Sequence, residues 1–211
     1  MSRKLKLKVC GMRQPENIAG LGRLKPDFAG LIFYEKSPRF AGGLTPGQLS
    51  ALPETTCRTG VFVKHSTDGI LQKVEALQLG AVQLHGDESP EFCSELRRQL
   101  PPGTRLIKVF RVDEDFDFSE TRPFEEVADY FLFDTRAKGW GGTGKTFNWQ
   151  ILQRYQGKRP FFLSGGIGPA HAKSIAALQH PRLFAVDINS GFEVSPGLKD
   201  LQQIREFGAF L

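Results

Sequence analysis

The chain has 211 residues, 40% of them apolar, with a net charge of +5. That composition excludes a disordered polymer, and no apolar run approaches the length of a membrane span. Lys and Arg are scattered from end to end, which argues against a nucleic-acid footprint and leaves a mild electropositive bias suited to a small anionic ligand.

The N-terminus reads Met1-Ser2-Arg3-Lys4 and then alternates Leu with Lys, so no secretory signal is expected there. Three cysteines (Cys10, Cys57, Cys93) are odd in number and lack C-x-x-C spacing. Neither a disulfide framework nor a zinc site is expected, and a reducing cytoplasm fits best.

Short runs of strand character then alternate with stretches of helical period. The strand candidates are 5–10, 28–34, 60–64, 81–85, 106–111, 130–135, 161–165 and 184–189. Helical candidates lie between them at 15–23, 46–52, 67–79, 90–100, 149–155, 169–178 and 199–210. Proline opens several of these, at Pro15, Pro46, Pro90 and Pro169, where a first helical turn tolerates it. After the fifth strand the sequence is acidic and aromatic, with only 123–127 faintly helical, so the fifth helix is expected to be short or absent. Strand followed by helix, eight times over, predicts an α/β fold: a single (β/α)8 TIM barrel spanning 1–211 as one domain. An open doubly wound sheet is the competing architecture.

Alternation sorts the strand residues between two faces. Leu5, Leu7 and Val9 share one face, while Lys8 and Cys10 share the other. Gln83 goes with His85. Leu132 and Asp134 oppose Phe131 and Phe133, and Ala185, Asp187 and Asn189 oppose Phe184 and Val186. Lys108 and Ser164 are expected to join the inward set. Each residue alone has a bland explanation: a strand cysteine is usually a small buried hydrophobe, and Lys8 could simply be salt-bridged to Asp187. Together, Lys, Cys, His and two Asp on one face form a functional constellation, because buried charge is costly unless paired or used.

The loops add glycine. After the sixth strand, Asp134 leads into Gly139, Gly141, Gly142 and Gly144 around Thr143 and Lys145, and Asn148 is a candidate helix N-cap. Residues 139–146 literally satisfy G-x-x-x-x-G-K-[ST], a nucleotide-phosphate pattern. That motif needs its first glycine directly after a strand and a helix starting at the Lys-Thr pair, and neither holds here. After the seventh and eighth strands come Ser164-Gly165-Gly166 and Asn189-Ser190-Gly191, where backbone N–H groups could close on a phosphate. Arg39, beside Pro38, could clamp a carboxylate or be one surface arginine among many.

In this order, Lys8-Val9-Cys10-Gly11-Met12, Phe33–Arg39, Ala81–Gly86, Phe133-Asp134-Thr135 with Gly141–Phe147, Ser164-Gly165-Gly166 and Ala185-Val186-Asp187 resemble phosphoribosylanthranilate isomerase over nearly the whole chain. The resemblance implies a metal-free, cofactor-free Amadori rearrangement in tryptophan biosynthesis, acting on a small phosphorylated substrate, in a monomer or homodimer. It implies Asp134 as general acid and Cys10 as general base, with Lys8 favouring the thiolate. Arg39 would hold the anthranilate carboxylate, with His85 near the aromatic end. Lys8, Gln83 and Asp187 would also contact substrate. Gly142, Thr143, Gly144, Gly165, Gly166, Asn189, Ser190 and Gly191 would surround the phosphate. Two departures stand out: Asn189 replaces the family's frequent Ser, and the stretch from Gly168 to His171 is an atypical helix start. Two other function classes fit the bare residues, a non-catalytic sugar-phosphate binder on the same barrel and a nucleotide hydrolase using 139–146.

Overall fold

A computed structural model of the chain describes residues 4–135 and 148–211. Eight strands, β1 (Lys6–Val9), β2 (Phe28–Ile32), β3 (Cys57–Phe62), β4 (Ala81–Leu84), β5 (Arg105–Val112), β6 (Tyr130–Thr135), β7 (Phe161–Leu163) and β8 (Leu183–Ile188), pair in sequence order. All are parallel, and β8 returns to pair with β1, so the sheet closes. Parallel neighbours need crossovers, and helices outside the ring supply them. The architecture is the (β/α)8 TIM barrel.

Capping chemistry explains where the outer helices begin. In α1 (Pro15–Leu24), α2 (Pro46–Leu49) and α4 (Pro90–Gln99) proline stands in the first turn. Ser66 and Ser89 accept N–H groups at the starts of α3 (Thr67–Leu77) and α4. Gln78, in left-handed backbone at φ +51°, stops α3 two residues before the expected end. After β5 there is only a 3-10 segment, Phe118–Phe124, capped by Asp117 and interrupted by Pro123, so the fifth helix is indeed missing. Asn148 caps the segment after β6, which is also a 3-10 helix, Trp149–Arg154. The atypical stretch before the seventh helix folds as a 3-10 turn, Pro169–His171, leaving only a short α5 (Ala172–Ala176).

Three expectations need correction. The last helix was expected from Lys199, but α6 (Leu201–Gly208) starts after the cap Asp200, which accepts from the backbone N–H of Gln202 and Gln203. Lys199 belongs instead to a small antiparallel hairpin, β9 (Glu193–Ser195) and β10 (Leu198–Lys199), turned at Gly197 with φ +84°. Lys108 does not face inward: Ile107 and Val109 on either side of it join the inner cluster, so alternation sends it outward. Phe184, expected among the outer residues, packs with the inner cluster beside Ala185. The register between β7 and β8 skips it, since Phe161 pairs with Leu183 and Phe162 with Ala185, and such a bulge re-aims one side chain.

The barrel floor is therefore aromatic. Phe28 meets Phe162 edge-on at 5.1 Å, and Tyr130 stacks on Phe184 at 4.8 Å. The fully buried Phe162 touches all three partners, within 5.6 Å. Phe162→Ala should cost about 3–5 kcal/mol of stability, read as a lowered urea midpoint with an unchanged slope.

Candidate active site

The register of barrel closure sets the first pair of site residues. Lys8 and Asp187 are partners across β1 and β8, and Lys8 Nζ donates to Asp187 Oδ1 at 2.9 Å with both side chains buried. Burial alone would strip the ammonium of its proton, but Asp187 and Cys10 outweigh it and the Lys8 pKa rises. Asp187 is pushed up by the same burial, with Lys8 opposing; the hydrogen-bonded geometry favours the ionised pair.

Cys10 follows β1 directly, its N–H donating to Ile188 O. It is 4% exposed. The thiol has room because Gly30 on β2 lacks a side chain: a Cβ there would lie 2.8 Å from Cys10 Sγ and 2.9 Å from its Cα. Burial pushes the Cys10 thiol pKa up, Lys8 pulls it down, and burial wins. Lys8 thus favours the thiolate as expected, but its pull is smaller than the push of burial.

Across the mouth, Asp134 stands one residue before the end of β6. Its Oδ1 accepts the N–H of Thr135 at 2.9 Å, and its Oδ2 lies 3.3 Å from His85 Nε2. His85 therefore meets the carboxylate of Asp134. Gln83, fully buried, sits 3.2 Å from His85 Nδ1 through its Nε2. With the amide in this orientation Nδ1 accepts, so the imidazole proton is on Nε2, facing Asp134. Besides Lys8, the charges of Asp134 and His85 also act on Asp187.

The glycine loops after β7 and β8 also meet. Gly165 and Gly166 have φ of +93° and +65°, and a Cβ on Gly165 would collide with Thr135. A Cβ on Gly191 would collide with Ile167 O, so the two loops pack backbone to backbone beside Ser190. Gly142, Thr143 and Gly144, with the rest of 139–146, lie outside the described residues. Among the described residues no cluster of His, Cys, Asp and Glu could hold a metal ion.

The family model for N-(5'-phosphoribosyl)anthranilate (PRA) isomerase matches residues 7–209. The chain belongs to this isomerase family. The isomerase of Parabacteroides distasonis is 44% identical over 203 residues, covering 95% of this chain and 90% of that protein. That of Phocaeicola vulgatus is 43% identical over 201 residues, covering 95% of each. The solved Thermotoga maritima isomerase superposes with a TM-score of 0.82 at 34% identity over 96% of both chains. Another, solved with reduced 1-(o-carboxyphenylamino)-1-deoxyribulose 5-phosphate, superposes at 0.79 with 31% identity over 97% of this chain and 96% of that one.

Two site residues expected to meet ligand are engaged by the protein itself. Arg39 donates through Nε and Nη2 to Glu193, at 2.8 Å to Oε1 and 2.6 Å to Oε2. Lys199 Nζ donates to Glu193 Oε1 at 2.6 Å and to Asn189 Oδ1 at 2.7 Å. The Asn189 side-chain oxygen thus accepts from Lys199, a buried ammonium that needs acceptors. Glu193 was missed in the sequence. Its partners are 154 and 6 residues away, and only the unforeseen hairpin brings it to them. Gly30 was missed too, lying inside an apolar strand with no polar signal. Arg111 stands opposite Asp134 in the β5–β6 register, an inward position that alternation from Val109 would have marked.

Burial raises the Glu193 pKa, but the hydrogen bonds from Arg39 and Lys199 outweigh it and the net direction is down. A depressed carboxylate adds stability above its unfolded pKa and loses it as pH falls through the folded value. Glu193→Gln should therefore cost about 3 kcal/mol at pH 7, with the gap to wild type narrowing once pH drops below about 4.3. Urea unfolding of both proteins at pH 7 and at mildly acid pH measures it.

Proposed function

We propose that Asp134 and Cys10 are the acid and base of the isomerisation. The enzyme converts N-(5'-phosphoribosyl)anthranilate to 1-(2-carboxyphenylamino)-1-deoxyribulose 5-phosphate, a step of tryptophan biosynthesis. The observation that supports the assignment is the barrel register: it seats Cys10 just past β1, next to the Lys8–Asp187 pair, while Asp134 stands near the same end of β6 with His85 3.3 Å away.

Asp134, entering the step as the carboxylic acid, gives its proton to the ribose ring oxygen as the C1'–O bond breaks. The anthranilate nitrogen lone pair forms the C1'=N iminium, leaving Asp134 a carboxylate that His85 steadies at 3.3 Å. Cys10 then takes the C2' proton. The electrons of that C–H bond form C1'=C2' and discharge the iminium, giving an enolamine. Loss of the C2' hydroxyl proton and protonation at C1' yield the ketone, so atoms and electrons balance within one molecule. In the resting enzyme Cys10 is held as a thiol by burial. The iminium is a full positive charge formed beside it, and an opposite charge in a low-dielectric site lowers a thiol pKa. The base is thereby activated by the step that precedes it. Asp187 faces the same cation and stabilises it.

Gly165, Gly166, Ser190 and Gly191 are proposed to receive the phosphate through backbone N–H groups, with Gly142, Thr143 and Gly144 completing the shell and Asn189 bracing the loop from Lys199. Glu193 already occupies the Nε–Nη2 edge of Arg39, so the anthranilate carboxylate would meet the Nη1 side of that guanidinium. Lys8 and Gln83 are assigned to orienting Asp187 and His85. No described helix is long and apolar enough to cross a membrane. We place the enzyme in the cytoplasm as one domain, a monomer or a homodimer; a Thermotoga maritima relative is described as dimeric.

Asp134→Asn and Cys10→Ser should each lower kcat more than about hundredfold, roughly 2.7 kcal/mol, with KM little changed. Loss of phosphoribosylanthranilate fluorescence follows the rate, and a drop under about tenfold for either variant removes that residue from its role. Because the base works deprotonated and burial raises its pKa, kcat/KM in the wild type should climb with pH through values above the ordinary thiol range. Cys10→Ser should lose that limb.

A further inference from the structure

A further buried charge pair lies outside the barrel interior and takes no part in the steps above. Lys108, turned outward from β5, donates from Nζ to Gly86 O at 2.7 Å and lies 3.2 Å from Glu88 Oε2. Both side chains are 4% exposed. The other Glu88 oxygen, Oε1, accepts the backbone N–H of Lys64 at 3.0 Å and of Gly86 at 3.2 Å. One carboxylate thus ties the loop after β3 to the loop after β4, and one ammonium ties that loop to β5. Lys64 itself holds a left-handed backbone, φ +50°, in making its half of the tie.

The fit is closed from every side. Gly86 can only be glycine in this arrangement, since a Cβ there would run into Glu88 Oε1 and lie 3.1 Å from Lys64 N. Phe110 and Phe124 cover the ammonium, with ring centroids 6.0 and 5.7 Å from Nζ. Burying two charges forfeits much hydration, and an apolar pair would fill the space at less cost. A charge pair does what an apolar pair cannot. It grips both the N–H and the C=O of one backbone residue, and so fixes where the next atom along the chain must be.

The residue before Gly86 is His85, whose ring is engaged at both nitrogens, by Gln83 and by Asp134. Its contact with Asp134 is already 3.3 Å long, so a small shift of the loop opens it. Misplacement by about an ångström, even from outside the chemistry, can cost about a hundredfold in rate.

We propose that Glu88 and Lys108 are positioning residues for the isomerisation, acting through Gly86 and His85 on Asp134. This rests on the role assigned to Asp134 above. A double-mutant cycle tests it. Glu88→Gln should lower kcat about tenfold with KM within about twofold, and in a His85→Ala background it should lower kcat less than about twofold further. Lys108→Met should behave like Glu88→Gln, with Lys108→Arg recovering most of the loss. Gly86→Ala, which keeps both charges and breaks the fit by bulk alone, gives the same reading if Glu88→Gln does not fold. An undiminished loss in the His85→Ala background, or an unchanged kcat in a folded Glu88→Gln protein, overturns the proposal. If His85→Ala and Asp134→Asn keep the wild-type rate, the acid assignment has failed instead. If they lose it while Glu88→Gln does not, only the positioning role has.

Discussion

Closing the barrel puts an ammonium inside it. Lys8 and Asp187 are 179 residues apart, brought together only when the first strand pairs with the last. Neither charge would be tolerable there alone, since a lone buried ion costs several kcal/mol of hydration. Each is therefore a condition on the other, and the pair is a condition on strand register: a slip of one residue would turn Lys8 into the helical shell. Cys10 inherits its position from that register, because it follows β1 and donates its N–H to Ile188 at the end of β8. Below the pair lies a floor of aromatic rings, and this apolar ground makes charges in the mouth act strongly on one another.

What the sequence made legible is what repeats. Period two in the strands and prolines at helix starts marked all eight strands and the start of nearly every helix, because those signals are local. The faces of β1, β4 and β6 were legible for the same reason. What escaped depends on distant partners. Phe184 turned inward because one residue is skipped against β7, an event no alternation within β8 announces. Lys108 was misjudged because charge suggested the active mouth, whereas its acceptors, Gly86 O and Glu88, lie in the loop after a neighbouring strand. Lys199 looked like the start of a helix until Asp200 proved the better cap.

The Arg39 cluster shows the same limit in the site itself. A guanidinium after Pro38 reads as a ligand clamp, yet its strongest edge belongs to Glu193, which also holds Lys199. Lys199 in turn holds Asn189, whose side-chain oxygen would touch any Cβ on Gly11. The loops after β1, β2 and β8 are thus one electrostatic unit of two cations and one anion. A net positive cluster at the mouth suits a substrate carrying phosphate and carboxylate.

The two reacting groups proposed here sit in different surroundings. Cys10, just past β1, is 4% exposed, whereas Asp134, one residue before the end of β6, is about a quarter exposed. An acid must regain its proton each turnover, and contact with solvent serves that need. A base that takes a proton from carbon gains from the reverse, since a thiolate shielded from water is not weakened by hydration. In a dry site the thiolate is costly at rest, as burial of Cys10 demands, and becomes affordable when a cation forms beside it. In the proposed mechanism the acid therefore acts first, and the cation it creates readies the base.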